Sequence, residues 1–258
     1  MNALVVDRVS KSFGGVRATD DVSFTVGAGT LTALIGPNGA GKSTLFNLMT
    51  NLYRADSGTI RFGGTTLAGY SSDRIARLGL VRTFQTARVF AGMTVRENVL
   101  AGLHVHATTP TWMHALGFPQ ARAEERALVA RADALLDAFG IADLRDRDAS
   151  ALALGNQKIV ELARALIARP SMLLLDEPAA GLNDVETSTL ARLLHAIHCS
   201  GTTVFVVEHN MSLVMGIADR ILVLDAGRLI ATGTPGEIQA NAAVIEAYVG
   251  RAATGATR

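Results

Sequence analysis

The sequence predicts an α/β fold: a mixed sheet flanked by helices, with an N-terminal antiparallel β subdomain and an inserted helical subdomain. Three observations indicate this fold. Short apolar segments separated by Gly and Asp turns fill the first 35 residues, and a glycine-rich loop then leads into a helical pattern. Between about residues 86 and 165, strand signals vanish and Ala, Leu and Arg recur at helical spacing. After residue 170, short apolar runs alternate again with helical patterns, as in α/β cores.

Each predicted element rests on a local pattern. Apolar or alternating runs of strand length predict strands at 4–9, 22–26, 31–35, 58–62, 80–84, 172–175, 202–207, 220–224 and 228–232. Apolar residues at helical spacing predict helices at 42–52, 72–78, 120–139, 186–200 and 211–218. A connector rich in Thr, Pro and His runs from His104 to Pro119, and its pattern indicates no role.

These elements predict one domain over residues 1–250 and a frayed tail at 251–258. Residues 1–85 and 166–250 form the core with its β subdomain, and residues 86–165 form the helical subdomain. The length of 258 residues suits one large α/β domain with an insertion, and it is sufficient to bury a substantial core.

Composition excludes several classes of protein. The mean hydropathy of +0.28 is high, but no stretch approaches 18 uncharged apolar residues, so no membrane span is predicted. Asp7 and Arg8 interrupt the apolar core that a signal peptide would need. The 24 basic and 23 acidic residues are scattered, without a basic stripe that alternates with aromatics, so we expect no nucleic-acid partner. The single cysteine, Cys199, excludes an intramolecular disulfide and a multi-cysteine metal site.

The glycine-rich segment has the spacing of a phosphate-binding loop (P-loop). It reads Gly36, Pro37, Asn38, Gly39, Ala40, Gly41, Lys42, Ser43 and Thr44, with a predicted strand before it and a helix after it. Glycines allow the backbone N–H groups to surround phosphates, and the helix N-terminus adds partial positive charge. Lys42 should reach the β- and γ-phosphates, and the Ser43 hydroxyl should ligate Mg²⁺. The segment predicts nucleotide binding.

Two acids follow a strand that is apolar enough to be buried on both faces. Residues 172–175 end in Asp176 and Glu177, and the carboxyl end of such a strand faces the ligand crevice of an α/β sheet. Asp176 would hold Mg²⁺, and Glu177 would polarise an attacking water.

Other segments distinguish among the kinases, GTPases and ATPases that share a P-loop. Leu152–Lys158 followed by Glu161–Leu166 resembles the signature loop and helix of ATP-binding cassette (ABC) proteins. Gln85 resembles their Q-loop glutamine, His209 their switch histidine, and Gly181–Asn183 lies where their D-loop does. Order and spacing agree over roughly residues 4–240. The resemblance therefore covers nearly the whole chain.

The resemblance is closer to one branch of that family. Segments 82–85, 93–98, 177–183 and 207–216 look like those of the ATPase subunits of bacterial branched-chain amino acid importers, the Liv type. The similar subunit is the one with an alanine in its signature loop. The resemblance implies a P-loop ABC ATPase with a RecA-like core. It also implies that two cassettes close head to tail around two ATP molecules.

The same resemblance assigns roles to individual residues. Phe13 lies where the family stacks an aromatic ring on adenine, although an apolar residue at a strand end is the alternative. The implied ATP-binding set is Phe13 with the P-loop residues 36–44, and the set that meets the ATP of the partner subunit is Leu152, Ala153, Leu154, Gly155 and Asn156. The implied catalytic set is Glu177 as general base with His209, Lys42 and Gln85, and the implied Mg²⁺ ligands are Ser43, Gln85 and Asp176.

Four positions depart from the family pattern. Ala153 replaces the usual signature serine, Leu154 the first glycine and Asn156 the glutamine, and Asn183 replaces the D-loop aspartate. These changes weaken the ATP site that this signature loop completes and leave the site built on Lys42 intact. We therefore expect a heterodimer with a second, different ATPase subunit.

By resemblance, the chain is the ATP-hydrolysing subunit of an importer, for which hydrophobic branched-chain amino acids are the leading substrates. Urea, short amides or aromatic acids are alternatives, as is a soluble ABC ATPase acting on DNA or ribosomes, or a regulator that has lost turnover. We expect the chain to lie at the cytoplasmic face of the bacterial inner membrane as a peripheral protein. Permease subunits would dock in a groove at residues 86–100, lined by Met93–Val95 and the following helix, and a solute-binding protein would act indirectly.

Overall fold

The computed structural model describes residues 4–83, 88–106 and 119–254. The strands are β1 Leu4–Phe13, β2 Val16–Val26, β3 Leu31–Ile35, β4 Ser57–Phe62, β5 Thr65–Thr66, β6 Leu80–Arg82, β7 Met172–Asp176, β8 Thr203–Val207, β9 Arg220–Asp225 and β10 Arg228–Gly233. The α-helices are α1 Lys42–Met49, α2 Ser72–Arg77, α3 Val95–Leu100, α4 Pro119–Ala138, α5 Leu154–Leu166, α6 Asp184–Cys199, α7 Met211–Ile217, α8 Pro235–Gln239 and α9 Ala242–Thr254. Gln85 and most of the predicted connector lie outside the described residues.

The described strands form two sheets. The smaller sheet is antiparallel and has the order β2-β1-β4-β5. The larger sheet has the order β10-β9-β3-β8-β7-β6, in which only β10 runs antiparallel to its neighbour. The mixed sheet and the antiparallel N-terminal subdomain predicted from the sequence are both confirmed.

The central strands of the larger sheet are buried on both faces because their side chains alternate between two apolar clusters. Leu173, Leu175 and Val206 pack on one face with the helices α3 to α6. Leu174 and Phe205 pack on the other face with α1 and the antiparallel sheet. A strand buried on both faces must be continuously apolar, as the sequence of β7 is.

Between β6 and β7 the described residues form helices and short 3₁₀ turns, without a strand. Helix α3 begins at a capping box in which Thr94 and Glu97 satisfy each other's backbone N–H groups. Arg96 on α3 ties this segment together through ion pairs of 2.8 Å to Asp133 on α4 and 2.9 Å to Asp146. This helical segment therefore packs as a unit beside the sheet.

Several boundaries differ from those predicted. Strands β1 and β2 are longer because their polar outer halves still pair, as at Lys11 with Thr19, although the register shifts on both sides of that pair. Helix α1 ends at Met49, before the predicted Leu52, since Asn51 adopts a left-handed φ of 53° that ends a helix. Helix α9 continues to Thr254, into the tail predicted as frayed. None of the helices within the described residues is both long and apolar enough to cross a bilayer.

Candidate active site

A cleft of 620 Å³ opens where β3 meets α1. The parallel strands β3, β7 and β8 all end at this edge, so the segments that follow them converge there. The cleft is lined by Val16, Arg17, Ala18, Asn38, Gly39, Ala40, Gly41, Lys42, Ser43, Thr44, Glu177, His209 and Ala226. The structure thus brings most of the predicted P-loop together with the predicted base and the switch histidine.

The loop between β3 and α1 requires glycine at two positions. Gly36 has φ 154°, and a Cβ there would lie 2.0 Å from the carbonyl oxygen of Leu224. Gly41 has φ 100°, and its Cβ would lie 2.1 Å from the carbonyl oxygen of Ala18. Any side chain would force the loop away from the backbone beneath it. The two glycines therefore fix the path of the loop across the cleft floor.

Lys42 lies folded against this loop. Its ammonium donates hydrogen bonds to the carbonyl oxygens of Gly36 at 2.7 Å and of Pro37 at 3.0 Å. Burial lowers the pKa of Lys42 below its ordinary value, and the negative charge of Glu177 opposes that shift. A desolvated ammonium beside the unpaired N–H groups of the first turn of α1 favours an anion in the cleft. This end of the cleft is therefore suited to phosphate groups.

The end of β7 carries the two predicted acids. Asp176 pairs in register with Val207 of β8, and the Glu177 N–H donates to the Val207 carbonyl oxygen at 2.8 Å. Glu177 has φ 47°, a left-handed conformation that costs a residue with a Cβ about 1–3 kcal/mol and is found at functional sites. Burial, with the charge of Glu177 adding to it, raises the pKa of Asp176 above its ordinary value. A cation near Asp176 would stabilise its charged form.

Glu177 and His209 meet across the cleft. Glu177 Oε1 lies 2.7 Å from His209 Nε2, and the His209 side chain is 41% exposed against 18% for Glu177. His209 follows β8, so both groups stand at strand ends that the parallel sheet places side by side. A carboxylate and an imidazole at this distance can together hold and polarise a water molecule.

Phe13 lies at the end of β1, beside the cleft. Its ring is 43% exposed and packs edge-on against Tyr53, with 5.3 Å between the ring centroids. The cleft wall near this hairpin is formed by Val16, Arg17 and Ala18. The predicted contact of Phe13 with adenine remains a prediction, as does the role of Gln85, which lies outside the described residues.

The predicted signature loop lies at the start of α5. Ala153 occupies the N-cap position and provides no side-chain hydrogen bond to the helix, whereas a serine there could. Leu154 is 40% exposed, and a Cβ on Gly155 would lie 2.5 Å from the Glu186 carboxylate. Residues 152–156 do not line the cleft of their own chain. They stand against the start of α6, where Asn183 caps the helix by accepting from the Glu186 N–H at 3.0 Å.

Two buried charged residues near Glu177 were not predicted as site residues. Glu208 is 3% exposed, and its carboxylate accepts from the N–H groups of Ala179, His209 and Asn210 at 2.7, 2.9 and 3.1 Å. Lys158 is 7% exposed and donates to the Pro178 carbonyl oxygen at 2.8 Å. For Glu208 the sequence did offer a signal, because an acid directly after four consecutive apolar strand residues is unusual at a buried strand end and indicates a bonded or functional group.

A second, more apolar groove of 280 Å³ lies beside the described ends of the Q-loop segment. Phe90 and Arg164 lie in this groove, with the Arg164 guanidinium 5.0 Å from the ring centroid of Phe90. Helix α3 was expected to line such a groove together with Met93–Val95. That prediction is wrong, because neither Met93–Val95 nor any residue of α3 lines this groove, and Val95, which begins α3, is fully buried in the core. The lining residues are Ala76, Val81, Arg82, Thr83, Phe90, Ala101, Gly102, Glu161, Arg164, Ala165 and Ala168.

Comparison with known families gives two matches. Residues 19–180 match the family model described as ABC transporter. Residues 228–254 match the family model described as branched-chain amino acid ATP-binding cassette transporter.

Comparison with curated proteins gives relatives over nearly the full chain. The chain is 42% identical over 250 residues to the high-affinity branched-chain amino acid transport ATP-binding protein LivG of Salmonella typhimurium, covering 96% of this chain and 98% of that protein. The LivG protein of Escherichia coli gives the same values. The BraF protein of Pseudomonas aeruginosa, which carries the same description, is 40% identical with the same coverage.

Solved structures show the same architecture. The ADP conformation of an ATP-binding cassette from an ABC transporter is 32% identical, with a TM-score of 0.83, and covers 97% of this chain and 99% of that chain. A nucleotide-free ATP-binding cassette is also 32% identical, with a TM-score of 0.82, over 96% of this chain. The predicted fold class is confirmed.

The buried ammonium of Lys42 gives the first prediction. Lys42→Met should weaken binding of a fluorescent ATP analogue to the purified chain on the order of 10- to 100-fold, because a charged hydrogen-bond donor to phosphate is lost. The affinity is measured by fluorescence titration. Arg61→Met, which removes an exposed cation on β4, is the control and should bind as the wild type does. Unchanged affinity in Lys42→Met would contradict the assignment.

Proposed function

The chain belongs to the ABC transporter family, and from that premise we propose that it is the ATP-hydrolysing subunit of an importer for branched-chain amino acids. The observation that carries the proposal is the meeting of Lys42, Glu177 and His209 in one cleft. The similarity to LivG over 96% of the chain supports the substrate class.

Phosphates would bind where the loop, the first turn of α1 and Lys42 meet. The ammonium of Lys42 now bonds to two loop carbonyl oxygens and would exchange those bonds for the β- and γ-phosphate oxygens. Because burial destabilises the charged ammonium and so lowers the pKa of Lys42, the negative charge of a neighbouring phosphate would offset that cost. Phe13 would stack on the adenine from the end of β1.

The donor set at this edge fits Mg²⁺, which prefers hard oxygen ligands. Ser43 lines the cleft and supplies a hydroxyl. Asp176 supplies a carboxylate, and the positive charges near it do not fully offset the cost of its burial. We assign both as ligands, with Gln85 as a third. When bound, Mg²⁺ would neutralise charge on the transferred phosphate.

Glu177 is the proposed general base. Its carboxylate would accept a proton from the water that attacks the γ-phosphate, and His209 would hold the water and the phosphate in place. The 2.7 Å contact between Glu177 Oε1 and His209 Nε2 supports this pairing. Lys42 contributes charge at the phosphate that receives the attack.

The second half of the ATP site would come from another cassette. Because residues 152–156 do not line the cleft of their own chain, they are free to face a partner's nucleotide. Helix α5 has 13 residues, and its first N–H groups lack intrahelical partners, as a phosphate site requires. Ala153 and Leu154 weaken that half-site, and Asn183 replaces the D-loop aspartate. We infer a heterodimer with a different ATPase subunit.

The groove that contains Phe90 is the proposed docking place for permease subunits. It is predominantly apolar, and Phe90 remains 50% exposed, so a partner helix could cover it. This docking would hold the chain at the cytoplasmic face of the inner membrane. A solute-binding protein would act on the permeases and would not contact this chain.

The carboxylate of Glu177 gives the second prediction. In the complex purified through a tag on this chain, Glu177→Gln should lower ATP turnover by about 10²–10⁴-fold while ATP binding is retained, because only the proton acceptor is lost. Phosphate release and nucleotide affinity are measured on the same sample. Glu246→Gln, at an exposed position of α9, is the control. Retained turnover in Glu177→Gln would disprove its role as the base.

The assembly gives the third prediction. A pull-down of the tagged chain from its host membrane in mild detergent, followed by mass spectrometry, should recover two permeases and a second, different ATPase. A co-purifying solute-binding protein would then be screened against branched-chain amino acids, urea, amides and aromatic acids. Ribosomal or DNA-repair proteins without an integral membrane protein would overturn the transport proposal. Recovery of this chain as the sole ATPase would overturn the heterodimer.

A further inference from the structure

Lys158 and Glu208, two buried charged residues near the base, have no part in the chemistry proposed above. Lys158 is 7% exposed and Glu208 is 3% exposed, and neither lines the cleft. Burying such groups is costly unless they are bonded and paired. The groups that Lys158 and Glu208 bond to are therefore the best indication of their roles.

Lys158 lies on α5, three residues after Gly155 in the signature loop. Its ammonium donates to the carbonyl oxygen of Pro178 at 2.8 Å and approaches that of Glu177 at 3.4 Å. Burial lowers the pKa of Lys158, while the charges of Glu208, Glu161 and Glu177 oppose that shift. A buried cation on the signature helix thus binds the main chain of the base itself.

Glu208 holds the same segment through its amides. Its carboxylate accepts from the Ala179 N–H at 2.7 Å, and also from the N–H groups of His209 and Asn210. The segment 177–179 is therefore held on two sides. The carbonyl oxygens of Glu177 and Pro178 accept from Lys158 on α5, and the N–H of Ala179 donates to Glu208 after β8. Since Glu177 stands at φ 47°, its conformation persists only where the surroundings fix it.

We propose that Lys158 is a positioning residue. It fixes the main chain of Glu177 and Pro178 to α5, the helix that follows the signature loop, and so determines the orientation of the Glu177 carboxylate. The proposal rests on the proposed role of Glu177 as base. It has a consequence for coupling, since α5 begins at the loop that would face the ATP of the partner subunit. A shift of that helix reaches the base of its own ATP site through the Lys158 ammonium.

The test uses the complex purified through a tag on this chain. Lys158→Met removes the donor at similar volume, and we expect kcat for ATP to fall on the order of 10- to 100-fold, the effect of a small misplacement of a catalytic group. KM and nucleotide affinity should stay within about twofold, because Lys158 does not line the cleft. Lys158→Arg, which keeps a charged donor, should restore most of the turnover.

The matched control is Arg131→Met. Arg131 is a partly buried cation on α4, in a separate groove with Leu135 and Phe139. The Arg131→Met variant should leave kcat unchanged, and this result would show that loss of a partly buried cation does not by itself displace Glu177. Equal kcat values for the wild type and Lys158→Met would overturn the proposal, and so would a failure of Lys158→Arg to exceed Lys158→Met.

Hydrogen–deuterium exchange provides a readout that does not depend on turnover. In Lys158→Met, exchange at the amides of Ala180 and Leu182, which close turns onto Glu177 and Ala179, should rise about tenfold, with β8 unchanged. If Lys158→Met does not fold, Lys158→Gln serves in its place. Unchanged exchange at these amides would overturn the proposal. A wild-type complex without ATPase activity would disprove the proposed function while this exchange measurement still decides the role of Lys158.

Discussion

The parallel pairing of β8 with β3 on one side and β7 on the other is the constraint on which the rest of the structure depends. Leu34 and Asp176 both stand opposite Val207 in register, so three strands end at one level. The P-loop, the acidic pair and the switch histidine each follow one of these ends. A one-residue slip would move every side chain of a strand to the other face and would separate the groups of the cleft.

The charges in and beside the cleft favour an anion next to Lys42 and a cation next to Asp176. Within the described part of the chain, carbonyl oxygens of the loop and the charge of Glu177 offset the desolvation of the buried Lys42. Burial raises the pKa of Asp176, so a nearby cation would stabilise its charged carboxylate. A nucleotide bound together with Mg²⁺, as proposed, would place a negative charge near Lys42 and a positive charge near Asp176. The Glu177–His209 contact gives the proposed base a defined position in the cleft.

The sequence predicted the fold and the candidate cleft because both depend on local patterns. The spacing of Gly36 to Thr44 and the apolar run before Asp176 specify which strand ends carry chemistry. The contacts of Lys158 and the packing of Phe13 on Tyr53 were not predictable in this way. They join residues about 20 and 40 positions apart, and local periodicity does not report such contacts. Val95 was misplaced for a similar reason, since helical spacing does not tell which face of α3 meets the core.

The central claim is that this chain supplies one half of each of two ATP sites formed with a different cassette. The most direct measurement is a cryo-EM structure of the complex carrying Glu177→Gln, prepared with ATP and Mg²⁺. The account predicts triphosphate density between residues 39–43 of this chain and the signature loop of a second, different subunit. It also predicts the signature loop of this chain, beginning at Leu152, against the other nucleotide. Nucleotide elsewhere on the chain, or a sandwich of two copies of this chain, would contradict the account.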